Sequence, residues 1–342
     1  MRPFLASQMK PFLPSQMWPF LLHILLLSFT EAEAYWRWLA FASSKCLPDQ
    51  TPLWINMDET SVATYFESGK GAVLTENTPG ALKKSLGVKA TLSDLRGAVT
   101  HIGMICSNTA IQPHLPQVII GNKVQFTKKL LSKVASDKPA TVHLLARKSA
   151  WNNADIMVDV FRLLAKALEP FAEQYLPIVL LDCATCHLSL EVLREARKLR
   201  LLLVFVPASC TQFLQPLDAR AFAGYKAFLR REFARLQHQT SDGKVSRDLW
   251  LRLLMRAATS HLRSLPWRDA FTSCGAGAAT RQQLSSGLRR RIPDAQFPES
   301  FIGPPTADQL AVLFPTNKRP ALSEILSLDV PRRRLRRKTA ST

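Results

Sequence analysis

Two runs, residues 177–181 (PIVLL) and 201–206 (LLLVFV), contain no polar residue at all. A strand with one wet face alternates apolar and polar, whereas a continuous apolar run fits a strand covered by helices on both faces. Between the two runs, Ser189 is placed to cap a helix through residue 199, with Glu191 favourable in its first turn. Upstream, residues 153–171 carry Ile156, Val160, Leu163, Leu164 and Leu168 at near-helical spacing. Earlier still, residues 53–57, 71–74, 98–107, 118–120 and 141–145 are short, apolar or β-branched strand candidates. A run of strands followed by alternating helices and strands is the order of an α/β protein with a mixed sheet flanked by helices.

Helical phase extends the pattern to residues 216–237, where Phe222, Tyr225, Leu229, Phe233 and Leu236 form one stripe. Stepping back four residues from Phe222 lands on Asp218, which the spacing therefore places on the buried face. Residues 250–265 offer a further helix, residues 272–293 read as a loop or linker, and residues 331–342 as a solvated tail with six basic residues. Three regions result: an apolar, repeat-containing N-terminal extension (1–50), a folded α/β domain (51–240), and a basic, partly disordered C-terminal region (241–342).

The 342 residues carry 45 Lys and Arg against 26 Asp and Glu, a net charge of +19. Residues 219–342 supply 23 of those cations and only 9 of the acids. Such an excess favours a polyanionic partner, nucleic acid before membrane. Six cysteines scattered over this length do not make a disulfide scaffold, and a reducing compartment suits them. Near the N-terminus, residues 18–29 are nearly all apolar and precede Ala32-Glu33-Ala34, an arrangement that imitates a secretory signal. Three copies of an eight-residue period (MRPFL, MKPFL, MWPFL) precede or overlap it, and signals need no such repeat. About twelve apolar residues are too few to span a bilayer, so stable membrane insertion is not expected.

Against this positive background, three aspartates stand at the ends of apolar segments: Asp58 after a strand, Asp182 ending another, and Asp218 at the start of a helix. Gathered at one sheet edge, three carboxylates would repel one another and raise each other's pKa unless a divalent cation lay between them. Two such ions could activate water or a 3′-hydroxyl and stabilise a leaving oxygen.

The segments Met57-Asp58-Glu59-Thr60, Leu181-Asp182 with His187 five positions on, and Leu214-Gln215-Pro216-Leu217-Asp218 followed by Phe222, Tyr225 and Arg230 resemble the catalytic domain of pogo-type transposases of the mariner-related DDE superfamily. Residues 149–153, around Trp151, resemble that group's tryptophan-containing segment, and 35 residues separate Asp182 from Asp218. The resemblance covers about residues 53–235. It implies an RNase H-like fold, Asp58, Asp182 and Asp218 as catalytic metal ligands for Mg²⁺ or Mn²⁺, and DNA strand cleavage and transfer. Lys226, Arg230, Arg231 and Arg235 lie off the apolar stripe and are candidates for nucleic-acid contact, their bland alternative being a solvated face. A nuclear location follows from the 332–338 basic run read as an import signal. A homo-oligomer is left open.

Two departures set a rival reading, a catalytically inactive, domesticated DNA-binding or interaction protein. Cys183 stands where the family has asparagine, and residues 1–50 hold no helix-turn-helix region. More remotely, Cys183-Ala184-Thr185-Cys186-His187 matches a haem-attachment pattern and, with the signal-like N-terminus, would describe a secreted redox or haem protein.

Overall fold

In the computed structural model, residues 18–63, 98–240, 243–292 and 306–314 are described, with side chains from residue 30 onward except at 307 and 310. The strand candidate at residues 71–74 and the basic tail lie outside these. After a helix α1 (Trp18–Ser43), strands β1 (Thr51–Ala63), β2 (Ala98–Cys106), β3 (Gln117–Asn122) and β4 (Val142–Arg147) precede helix α3 (Ala154–Leu168), with a short α2 (Lys128–Val134) between β3 and β4. Strand β5 (Tyr175–Leu181), helix α4 (Leu190–Lys198) and strand β6 (Leu202–Phe205) follow. The six strands form one mixed sheet in the order β4-β3-β2-β1-β5-β6. β1, β2 and β3 pair antiparallel, and β5 and β6 add parallel on the other side of β1. An antiparallel meander with crossover strands joined parallel to its first strand is the RNase H-like topology, here extended by β4 parallel to β3.

Local chemistry accounts for the crossover helices. Asn153 Oδ1 accepts from the Ile156 N–H at 2.9 Å and starts α3, and Ser189 Oγ accepts from the Val192 N–H at 3.3 Å and starts α4. The stripe of α3 buries Ile156, Val160, Leu164 and Leu168, as its spacing predicts. β5 and β6 are covered on both sides, with Ile178–Leu181 and Val204–Phe205 fully buried.

Packing continues on both sides of the 51–240 segment. In α1, Ala32, Ala34, Tyr35, Trp36 and Trp38 are buried, and Trp38 packs on Phe205 of β6 and Phe314 with ring centroids 5.8 and 6.3 Å apart. Helix α5 (Phe222–Gln239) is followed by α6 (Arg247–Ala257), whose Trp250, Leu251 and Leu254 are buried, then by a wide turn over Ala258–Arg263. The expectation of a linker at 272–293 is corrected: after α7 (Arg268–Ser273), α8 (Ser286–Arg291) forms there, with Cys274, Leu284, Leu288 and Ile292 buried. Glycines 275 and 277 adopt positive φ (95° and 70°), which only a residue without Cβ takes cheaply, and an added Cβ would meet the Trp36 and Trp54 indoles. The glycines that suggested a linker are sites of close packing. A last helix, α9 (Ala307–Leu313), lies against α1. Among the described residues, no helix is long and apolar enough to cross a membrane.

Candidate active site

β1 pairs with β5 only as far as Asn56↔Leu180, and with β2 along the rest of its length. Two residues past that last parallel pair stand Asp58 on β1 and Asp182 just beyond β5. Parallel register therefore brings them level on neighbouring paths about 4.8 Å apart. This corrects one detail: Asp58 sits inside a 13-residue strand, not after it. Beyond Asn56 β5 no longer pairs with β1, and the loop that follows β5 brings His187 back to Glu59 of β1.

Asp218 arrives from across the sheet edge. Residues Leu217–Ala221 form a π turn, in which the Phe222 N–H reaches back to the Leu217 carbonyl. The extra residue in this turn breaks the phase of the α5 stripe, so Asp218 is exposed, contrary to the expectation from helical spacing. Phe222, Tyr225, Leu229 and Phe233 are buried as predicted. Two contacts fix the turn over the acids. The buried Asn56 accepts from the Leu217 N–H at Oδ1 (2.7 Å) and donates from Nδ2 to the Leu180 carbonyl (3.0 Å), so one amide ties β1, β5 and the Asp218 turn together. Gly103, opposite Asp58 on β2, leaves room for the Phe222 ring, which would lie 3.1 Å from an added Cβ.

The three acids feel one another. Burial first, then the charges of Asp218, Glu59 and Asp182, hold the Asp58 pKa well above the usual carboxylate value, against a stabilising Glu59 N–H bond of 2.8 Å. Asp218 is also raised, by partial burial and the Asp182 charge, while a hydrogen bond with Asp58 and the Lys226 ammonium pull it down.

Behind Asp182 lies a polar relay. Buried His187 reaches Asp182 Oδ1 through Nδ1 at 2.6 Å and Glu59 Oε1 through Nε2 at 3.0 Å, and Asn152 Nδ2 donates to Glu59 Oε1. Burial alone would lower the His187 pKa, but the Glu59 charge and the hydrogen bonds to Asp182, Cys186 and Glu59 outweigh it and hold it well above the usual value. His187 thus pairs with Asp182, while Ser189 caps α4. Trp151 itself is exposed (81%), and its neighbour Asn152 reaches the relay.

The cationic candidates divide. Lys226 stands near enough to Asp218 to lower its pKa, and Arg230 is exposed one turn further along α5. Arg231 and Arg235 instead pair with buried Glu232 at 3.4 and 3.5 Å, joined there by Arg256 at 3.2 Å. The two cysteines of the haem-like pattern face different ways: Cys183 donates to the Val206 and Leu313 carbonyls, whereas Cys186 lies against Asn152 and His187. Two thioether links to one group would need them on a common face. Asn56 and Gly103 were missed in the sequence, since neither carries a signal apart from its cross-strand neighbours.

Residues 100–271 match the family model described as DDE superfamily endonuclease, a span that includes Asp182 and Asp218 and begins after Asp58. No curated protein matches the chain. Two solved structures are similar to it, a Mos1 transposase paired-end complex with left transposon end and a Mos1 mariner paired end complex with Mn. Each is 14% identical over 73% of this chain, with TM-scores of 0.35 and 0.36. The chain spans 62% and 63% of the length of those two.

Proposed function

The chain belongs to the DDE superfamily endonuclease family, and from that premise we propose that it cleaves and transfers DNA strands in a divalent-metal-dependent reaction, as a pogo-type member of transposon origin. The observation that supports this reading is the mutual electrostatic influence of Asp58, Asp182 and Asp218 at one sheet edge of a chain with net charge +19.

The donor set fits the ion. All three groups offer carboxylate oxygen, the preference of hard cations, and Asp58 and Asp218 are raised first by burial and then by neighbouring acid charge, both of which a bound dication would offset. Asp58, Asp182 and Asp218 would hold Mg²⁺ or Mn²⁺, which when bound polarises a phosphoryl oxygen and eases formation of an oxygen nucleophile. The protein's own residues supply position. Asn56 holds the Asp218 turn, the Glu59 N–H fixes Asp58, and His187 Nδ1 with the Ala184 N–H (3.0 Å) fixes Asp182. Lys226 and exposed Arg230 flank the acids on one edge of α5 and suit phosphate contact. Arg231 and Arg235 share the charge of Glu232 and contribute less.

A second reading, a catalytically inactive derivative that still binds DNA, is favoured by Cys183. Its thiol is turned into the core, so it cannot act as the polar neighbour that the family's asparagine provides beside the second aspartate. Nicking of supercoiled DNA by the purified protein in Mg²⁺ or Mn²⁺, abolished by Asp182→Asn, is expected from the first reading. Metal-independent background alone would leave the second. For either reading, DNA affinity should fall steeply between about 50 and 200 mM salt, as phosphate neutralisation requires. The 332–338 basic run supports a nuclear location, testable by deleting it from a fluorescent fusion.

A further inference from the structure

Beside the three aspartates, and separate from them, lies a donor set of another chemistry. One ligand atom each from Glu59, Cys186 and His187 lies within 4.8 Å of the others. The Asn152 amide closes the group, donating to Glu59 Oε1 and standing 3.8 Å from Cys186 Sγ. We propose that Glu59, Cys186 and His187 form a binding site for a thiophilic divalent cation, Zn²⁺ in the first place, distinct from the all-carboxylate site.

Ligand type separates the two sites. Three carboxylates suit Mg²⁺ or Mn²⁺, whereas one thiolate, one imidazole and one carboxylate suit zinc. Tetrahedral Zn²⁺ with its usual bond lengths sets its ligand atoms about 3.3–3.6 Å apart. The Glu59–His187 pair, at 3.0 Å, needs to open by a few tenths of an ångström, and the longer separations need to close by about 1 Å. His187 is already oriented for the task. Its Nδ1 bonds Asp182 Oδ1 at 2.6 Å, leaving Nε2 toward the cluster, the carboxylate–histidine–metal arrangement that fixes tautomer and raises ligand basicity. The ion would take the place of the proton between Nε2 and Glu59 Oε1. The ligands bind as thiolate and as the Nε2 lone pair of the imidazole, and any protons they carry pass to solvent. An open fourth position can be filled by water.

Cys186 is well placed for this, being partly exposed, while Cys106, Cys183, Cys210 and Cys274 are buried. The site stands independently of DNA cleavage, and its test reads no activity. Purified full-length protein is titrated with Co²⁺ in excess Mg²⁺, following the thiolate-to-cobalt charge-transfer absorption. One equivalent should bind, Zn²⁺ should displace it, and the band should be lost in Cys186→Ser and survive in Cys183→Ser and Asp218→Asn. A second measurement needs no variant: Zn²⁺ should slow alkylation of Cys186 at least about tenfold, with partly exposed Cys46 as internal reference. A band that persists in Cys186→Ser, a band abolished by Asp218→Asn, or equal alkylation of Cys186 with and without Zn²⁺ would each overturn the assignment.

Discussion

Replacing Asn56 with leucine tests whether one buried amide holds the acids together. Leucine has the same branching and number of side-chain heavy atoms, but its methyls are bulkier than the amide groups, so the hydrogen bonds are removed and the site is also crowded. The change strips the Leu217 N–H of its 2.7 Å acceptor and the Leu180 carbonyl of a 3.0 Å donor, at a position with no solvent exposure. An unsatisfied buried donor costs about 1–3 kcal/mol, and a carbonyl that keeps a second lone pair engaged costs less, so a loss of about 2–4 kcal/mol is expected. With a urea m-value of about 3 kcal/mol/M, the unfolding midpoint should fall by roughly 1 M. The π turn is then freed from β1, and Asp218 no longer faces Asp58. Metal-dependent nicking should fall at least about tenfold under conditions where the variant is still folded. Urea unfolding followed by circular dichroism, with nicking assayed in parallel, reads both effects. A midpoint shift below about 0.2 M together with unchanged nicking would refute the claim that Asn56 positions the third acid.

Gly103→Ala puts a methyl group 3.1 Å from the Phe222 ring and 3.3 Å from Leu262, and overpacking of this kind costs about 1–3 kcal/mol. A thermal scan should show the lowered midpoint, with nicking reduced through displacement of the turn before Phe222. Asp58→Asn should leave the metal-free protein at neutral pH as stable as before or more so, because the raised pKa of Asp58 means that its ionised form is a burden there. Nicking and any Mn²⁺-induced rise in melting temperature should both vanish. His101, fully buried and bonded to the Tyr225 hydroxyl at 2.7 Å, has its pKa lowered by burial from 6.5 to about 4. The unfolded chain therefore binds the extra proton, so the stability contributed is full above pH 6.5 and is lost as pH falls toward 4, by about 3 kcal/mol. His101→Gln should flatten that slope, measured as urea midpoints between pH 7 and pH 4; an unchanged slope would remove His101 as its source.

The order of elements was legible in the chain because each signal is local. Residues 177–181 and 201–206 had to be covered on both faces, Asn153 and Ser189 cap the helices they precede, and the alternation of helix and strand selects a mixed sheet. The three aspartates were singled out through motifs resembling a known family. Their geometry was not legible. Asp58 lies within a strand because β1 outruns its partner β5, a fact of pairing that residues 53–63 do not carry. Asp218 is exposed because a π turn breaks the helical phase, and that turn is held by an amide 161 positions away. The glycines at 275 and 277 read as a linker in isolation, yet they are where backbone meets Trp36 and Trp54. By itself, then, the sequence determined which segments must be buried and which carboxylates stand at their ends, since burial and capping depend on residues within a turn or two. Only the tertiary structure decided how those carboxylates face one another, and that Glu59, Cys186 and His187 share one point, because both depend on register between strands and loops far apart in the chain.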